Sequence, residues 1–486
     1  MPKRKKKSCR SIVQAQARAK NEIENSSLAA IVPRSPLWGP TTPSNSSLTA
    51  EKVLHRYPRL ERRFYEPLVL LSVLDPVRGR RFTNSVYTTD DTLDQLRRSF
   101  VDAMAIICDS HKGGDTVMAA ALQSTPSRTV IWLAANEKPK ARTVHYLQSI
   151  IGTLMKATPD TRVRVAEEIS DCVVKFCQSR MNYYRKELSR ELPRCLSKLS
   201  KVEPASDSEL EIVIQWLTDL QTHASILRCG DSSIKGLVNG CMQCRIYFPM
   251  LARFSRRETD QHQPITRTKH FIGRLAMYPR TVNTLLDVAL EIPQLLENCE
   301  LRLCDSSRHL PSPLNSELST LDGIVRRMFP EFTANEVRSD LDRLNVFGNL
   351  HKRLSRACSF KTRVHAELLV LEKFRSNRWE FVAGDRYIGC SKPSCFCCYH
   401  YINSLPERYS VSGCHNKIYT HWRAPDLTGV QDLEAVKVRE DALNAAVAKL
   451  RAEVRRCIDE RLVKICPHFD SITGSTLVAR LEEVKQ

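Results

Sequence analysis

Two short clusters constrain this chain more than anything else in it. They are His365-Ala366-Glu367 and, beginning 28 residues beyond Glu367, Cys395-Phe396-Cys397-Cys398. Imidazole nitrogen and thiolate sulfur are donors that zinc takes, and three protein ligands leave a fourth tetrahedral position open for chemistry. His365, Cys395 and Cys398 are therefore read as ligands of a catalytic Zn2+. Cys395 and Cys398 are three apart, so they share a face on the first turn of a helix. The positive end of that helix also favours the thiolate that a metal needs. Glu367, two residues past His365, is read as close to the metal without binding it. A carboxylate there can accept a proton from an attacking water and hand it to a leaving nitrogen. Cys397 is out of phase with the pair and is read as a spectator.

Other readings of these residues stay open. A structural zinc site can draw on Cys390, Cys395, Cys397 or Cys398 with His400 or His415, leaving Glu367 an ordinary acid. The cysteines can also be plain packing. A second C-x-x-C, Cys241-Met242-Gln243-Cys244, with Cys229 upstream, is a weaker metal-site candidate without a clear fourth ligand.

The chain has 486 residues, 42% hydrophobic and 26% charged, enough to bury a large core in two or three domains. Its longest aliphatic runs, such as Leu68 to Leu71, fall far short of the ~20 residues a membrane span needs. No apolar segment follows the basic cluster Lys3 to Lys7, which argues against a secretory signal. The reading is an intracellular protein, nuclear or cytoplasmic, with Lys3 to Lys7 as a candidate import signal. In a reducing compartment the 18 cysteines are metal ligands or small buried apolar residues rather than disulfides. Cys108, Cys172, Cys177, Cys195 and Cys299 sit in helical-looking apolar contexts. A formal net charge of +20 favours a polyanionic partner, nucleic acid or nucleotide.

Residues 1–50 read as a disordered basic tail, rich in Ser, Pro, Asn and Thr after its first turn of lysines. Residues 51–355 read as mostly helical: Leu93, Leu96, Phe100, Met104 and Ile107 recur at helical spacing, as do Val165, Ile169 and Val173. One exception is a β-hairpin at 116–136, with apolar runs on either side of Ser124-Thr125-Pro126-Ser127. Lys201 to Glu209 and Asp305 to Ser316 read as linkers. Residues 356–486 carry the metal motifs and C-terminal helices. Within them Arg386 to Cys390 and Lys417 to His421 read as short strands, with helices at 364–374, 394–405 and 433–463. Alternating helix and strand predicts an α/β layer.

The stretch from Val364-His365-Ala366-Glu367 through Tyr387-Ile388-Gly389-Cys390 and Cys395-Phe396-Cys397-Cys398 to Cys414-His415-Asn416-Lys417-Ile418-Tyr419, Trp422 and Pro425 resembles the zinc-dependent cytidine deaminase-like superfamily. Within it, the stretch is most similar to a large family of fungal deaminase-like proteins. The resemblance covers about sixty residues directly. It implies an α/β fold, a mixed sheet flanked by helices, with a large mostly α-helical N-terminal or inserted region. It also implies that zinc is held between two helix starts and that Glu367 is the general acid/base. The hairpin at 116–136 is similar to the opening pair of that sheet, and related deaminases contact substrate through an Asn at its end, which makes Asn136 a candidate. Proline usually stands directly before the first cysteine; here Ser394 does, with Pro393 one earlier, and Ser394 can serve as the helix N-cap instead. His415, Trp422 and Tyr399 are candidates for lining a pocket and stacking on a base.

The expected function is zinc-dependent hydrolytic deamination of a nucleobase in a nucleotide or nucleic acid. The alternative is a catalytically inactive deaminase-like scaffold that binds nucleic acid or protein.

Overall fold

The computed structural model describes residues 50–75, 82–83, 92–137, 139, 141–201, 208–225, 231–255, 263–314, 319–345, 350–426 and 433–460. The expected tail with Lys3 to Lys7, most of the stretch from Lys201 to Glu209, and Cys229 lie outside them.

The first described elements are α1 (Ala50–Leu74), β1 (Phe82–Thr83) and α2 (Thr92–Cys108), then β2 (Met118–Ser124) and β3 (Thr129–Ala135). The last two are the hairpin, in register Ala120 opposite Leu133. Its turn closes by Thr125 N–H donating to the Arg128 carbonyl at 3.1 Å. The strands are apolar through Met118 to Leu122 and Val130 to Ala135, because both faces are covered there. Helices follow: α3 (Ala141–Leu154), α4 (Arg162–Leu199), α5 (Ser208–Ser225), α6 (Asp231–Gln243), α7 (Phe248–Ser255), α8 (Pro264–Glu291) and the single turn α9 (Gln294–Glu297). Then come β4 (Cys299–Leu303), β5 (Leu310–Pro311), α10 (Leu321–Met328), α11 (Glu331–Asn345), α12 (Leu350–Ala357) and β6 (Lys361–Thr362). The motif region supplies α13 (Ala366–Asn377), β7 (Tyr387–Cys390), α14 (Phe396–Asn403), β8 (Ser410–Val411), β9 (Gly413–Cys414) and α15 (Leu433–Asp459).

The central sheet is mixed, in the order β4-β3-β2-β7-β8. β2 lies antiparallel to both β3 and β7, with Ala119 opposite Cys390 and Ala120 opposite Gly389. β4 runs parallel to β3, and β8 parallel to β7. The hairpin thus lies in the same sheet as the strand between the two motifs. Alternate strand residues serve opposite faces. Ala120, Leu122, Ile131 and Leu133 join the core built with α2, α4 and α8. Ala119, Ala121, Val130 and Trp132 join the core built with α1, α13, α14 and α15.

One glycine is dictated by packing. A Cβ on Gly389 would stand 2.7 Å from the Val101 carbonyl carbon and 2.8 Å from the Asp102 nitrogen, so β7 touches the α2 backbone. Asp102 seals this contact, accepting from Cys390 N–H at 2.9 Å and from the Tyr387 hydroxyl at 2.8 Å.

Four expectations need correction. Cys299 opens strand β4 and is not in a helix. Asp305 to Ser316 is not a linker: Cys304 and Leu314 are buried, β5 pairs with β6, and Ser307 Oγ accepts from Val364 N–H at 2.8 Å, directly before His365. Lys417 to His421 forms no strand. Asn416 turns the chain with a φ of 57°, and the Lys417 N–H and carbonyl are spent on His415 Nδ1 and Phe396 N–H instead of a ladder. Finally, Ser394 is not the N-cap of α14. Cys395 is, and Ser394 pairs by its backbone with Gly413 and His415.

Candidate metal and catalytic centre

His365 and Cys395 occupy equivalent places: each is the extended residue that caps a helix, α13 and α14 respectively. Two helix N-termini therefore converge on one point, with positive ends toward it. His365 Nδ1 lies 3.6 Å from Cys395 Sγ and 3.4 Å from Cys398 Sγ. Cys398 N–H donates to Cys395 Sγ at 3.4 Å. Among the described residues this is the group of three metal-ligating side chains that comes together, all donor atoms within 4.8 Å of one another and all buried. Tetrahedral zinc with bonds of about 2.0–2.3 Å needs donor atoms about 3.6 Å apart, so the donor set fits that ion.

The electrostatics suit such an ion. Burial raises a thiol, but at Cys395 hydrogen bonding from Cys398 and the charge of His365 outweigh it and hold the thiol well below its ordinary value. Cys398 goes the other way, raised by burial and by the neighbouring Cys395. Glu367 is buried, and burial lifts its carboxyl above the usual carboxylate range despite the His365 charge. It stands within hydrogen-bonding reach of Cys398.

Trp422 is wholly buried and donates its indole N–H to Cys398 Sγ at 3.0 Å. Its ring sits 5.0 Å from that of Phe64, and the Tyr65 hydroxyl donates to its carbonyl at 2.9 Å. Asn136 is also buried. Its Oδ1 accepts from Ala366 N–H at 2.8 Å, and its Nδ2 donates to the Gly114 carbonyl at 2.8 Å. His415 is buried, its ring 5.8 Å from Tyr419, which in turn lies 6.1 Å from the His365 ring. Tyr399 is half-buried and packs by its ring against His400. The structure thus gathers His365, Glu367, Cys395, Cys398 and Trp422 at one point, with Asn136 bracing the helix that carries the first two.

Among the described residues, the other thiols and imidazoles do not join this donor group. Burial raises Cys390 and Cys397 well above the ordinary thiol value. His400 packs on Phe396 with ring centres 4.3 Å apart, and burial lowers it to about 4. Cys241 and Cys244 are buried in the helical core, and the Cys244 thiol donates to the Gly240 carbonyl.

Two supports were not readable from the motifs. Arg363 NH1 bridges Asp115 at 2.8 Å and Glu137 at 2.6 Å, tying both ends of the hairpin to the chain two residues before His365. Asp109 pairs with the buried Arg180 and accepts from Ser391 Oγ at 3.0 Å, and Ser391 Oγ accepts from Met118 N–H at 3.1 Å. This fixes the loop between β7 and Cys395. Only the position of Arg363 beside the first motif hinted at either. A cavity of about 360 Å3 at the ends of β2 and β3 is lined by Ser110, His111, Lys112, Glu137 and Arg142 among others.

Comparison with known proteins agrees with this geometry. Residues 364–426 match the model of the OTT_1508_deam deaminase-like family, so the resemblance to cytidine deaminase-like proteins holds over that segment. No curated protein and no solved structure matches the chain. Among the described residues, no helix is long and apolar enough to cross a membrane.

Proposed function

We propose that this chain is a zinc-dependent hydrolytic deaminase acting on a nucleobase in a nucleotide or nucleic acid. One observation carries the reading: a His/Cys/Cys donor set, closed at zinc-like spacing, has a buried glutamate against it that is not one of the three donors. A structural site has no chemical use for that glutamate. The family match over residues 364–426 supports the reaction class. The net charge of +20 supports a phosphate-bearing substrate.

His365, Cys395 and Cys398 would hold the ion. Bound zinc would supply the Lewis acidity that makes water nucleophilic near neutral pH. The rest falls to the protein. Hydrolytic deamination forms a C–O bond at the amino-bearing carbon, breaks its C–N bond, and moves a proton from the attacking water to the departing nitrogen. Glu367 carries that proton, and its raised pKa makes it a better acceptor near neutral pH than an exposed carboxylate. Trp422 steadies the Cys398 sulfur with its N–H. Asn136, whose amide is engaged on both sides by backbone, acts by fixing the start of α13. His415 and Tyr399 are the remaining candidates for touching substrate.

A second reading has one observation in its favour. The net charge of +20 suits a polyanion-binding deaminase-like scaffold, one that has kept its metal site but not its chemistry, as well as it suits an enzyme.

Elemental analysis of the wild type and His365→Ala, with ammonia release screened over bases, nucleotides and oligonucleotides, tests both. The enzyme reading expects about one zinc per chain, much reduced in His365→Ala, and ammonia release that Glu367→Gln abolishes while zinc stays. Zinc content indifferent to His365→Ala, or turnover that survives Glu367→Gln, would sink it. Zinc without turnover on any of these substrates favours the scaffold.

A further inference from the structure

His365 caps the start of α13, and a different kind of site lies at its other end, ~18 Å away at 1.5 Å per residue. A cavity of about 950 Å3 opens there, walled by Arg375, Arg378, Arg386 and Arg408 together with Trp379 and Tyr409. Three acids also line it, but two are already paired. Asp385 receives both Nε and NH2 of Arg98 at 2.8 Å, and Glu407 receives Arg375 Nε at 2.8 Å. Arg378, Arg386 and Arg408 are exposed, and among the described residues none of them forms an ion pair. Arg386 donates to the Glu407 carbonyl, which aims it along the wall. Three arginines thus face the cleft against one unpaired acid, Glu380.

The backbone adds a second observation. Arg378 has a φ of 53° and Arg408 a φ of 56°. Both are left-handed positions where glycine or asparagine folds at less cost. The turns therefore do not call for arginine, and the side chains must account for it. A guanidinium fork matches two phosphate oxygens at once. Half-buried Trp379, held rigid by stacking on Trp132 at 4.7 Å, offers an aromatic edge beside them.

We propose that this cleft is a second binding site, which takes the phosphate of a nucleotide unit on Arg378, Arg386 and Arg408 with the base beside Trp379. The volume suits one such unit. Preferring a nucleotide to another organic phosphate rests on the deaminase reading; the binding site itself does not.

The test uses the full-length chain carrying Glu367→Gln, so that binding is measured without turnover. One probe is a fluorescent single-stranded oligonucleotide of about 12 nucleotides; the other is a nucleoside monophosphate. R378Q/R386Q/R408Q should weaken binding by roughly tenfold or more, and flatten the salt dependence by about 0.7 for each phosphate no longer neutralised. The corresponding triple lysine variant should recover part of the affinity, since it keeps charge and loses the fork. Weakening for the oligonucleotide alone identifies a strand as the ligand, and weakening for both probes a free nucleotide. Equal binding by the glutamine variant and its parent, or no binding of either probe, overturns the proposal. Ammonia release by the wild type is a separate measurement, so the two readings fail separately.

Discussion

Asn136 and Ala366 are 230 positions apart in the chain and joined by one hydrogen bond, from the Ala366 N–H to Asn136 Oδ1 at 2.8 Å. The donor is in the first turn of α13, where backbone N–H groups have no partner within the helix. Asn136→Ala strands it in a buried place and also removes one of the two hydrogen bonds that the Gly114 carbonyl accepts. The expected loss is about 1–3 kcal/mol of stability, measured by urea unfolding. A loss within about 0.5 kcal/mol, the range of a neutral surface change, would show that the bond braces nothing.

Trp422→Phe keeps a ring against Phe64 and Tyr401 and removes only the N–H that reaches Cys398 Sγ. Groups that hydrogen-bond a metal ligand typically change metal affinity by about 10–100-fold when they are removed. Competition with a chromophoric chelator should show zinc held more weakly by that order while the fold persists. Unchanged zinc affinity would make the contact incidental.

Two glycine-to-alanine changes should have opposite signs. Gly389→Ala drives a methyl into the α2 backbone at 2.7 Å, where no flexible side chain can yield. It should cost about 1–3 kcal/mol or more, as overpacking does. Gly152 is on the exposed side of α3, and a methyl there would meet nothing within 4 Å. Gly152→Ala should therefore stabilise by roughly 0.5–1 kcal/mol. Thermal or urea unfolding of both, side by side, checks the signs.

Tyr184 should ionise early. Burial pushes its hydroxyl up, but Arg274 and Arg180 outweigh burial and bring it down to about 8. Their Nε atoms lie 3.2 and 2.8 Å from its oxygen. A tyrosine in the unfolded chain titrates near ~10. Between those values the unfolded state holds the extra proton, so this residue makes the protein more stable as pH rises from about 8 toward ~10, and the gain is lost as pH falls through 8. Spectrophotometric titration should show one phenolate forming near 8 that is missing in Tyr184→Phe. Identical titrations would remove the two-arginine account.

The chemistry was legible because it is local. His365 with Glu367, and Cys395 with Cys398, each sit within one helix start, where spacing alone fixes geometry. The hairpin was legible for the same reason: its apolar runs flank a Pro/Ser turn. Trp422 against Cys398 was not, since the intervening 23 residues decide the approach and no spacing rule covers them. Lys417 to His421 has strand-like composition, but β propensity yields to context, and here capping bonds claimed the backbone. The opposite error concerns β4. Cys299-Glu300-Leu301-Arg302-Leu303 does alternate, a period-two signal, yet it follows directly on helical sequence that masked it.

The distance in sequence between β3 and β7 has a consequence for how the protein is made. At roughly 5–20 residues per second, a ribosome needs on the order of ten seconds or more to pass from the hairpin to the strand that pairs with it. During that interval the edge of β2 that will receive Cys390 and Gly389 is without its partner. Unpaired apolar edges recruit other chains, so the nascent hairpin is exposed to mispairing until β7 is made.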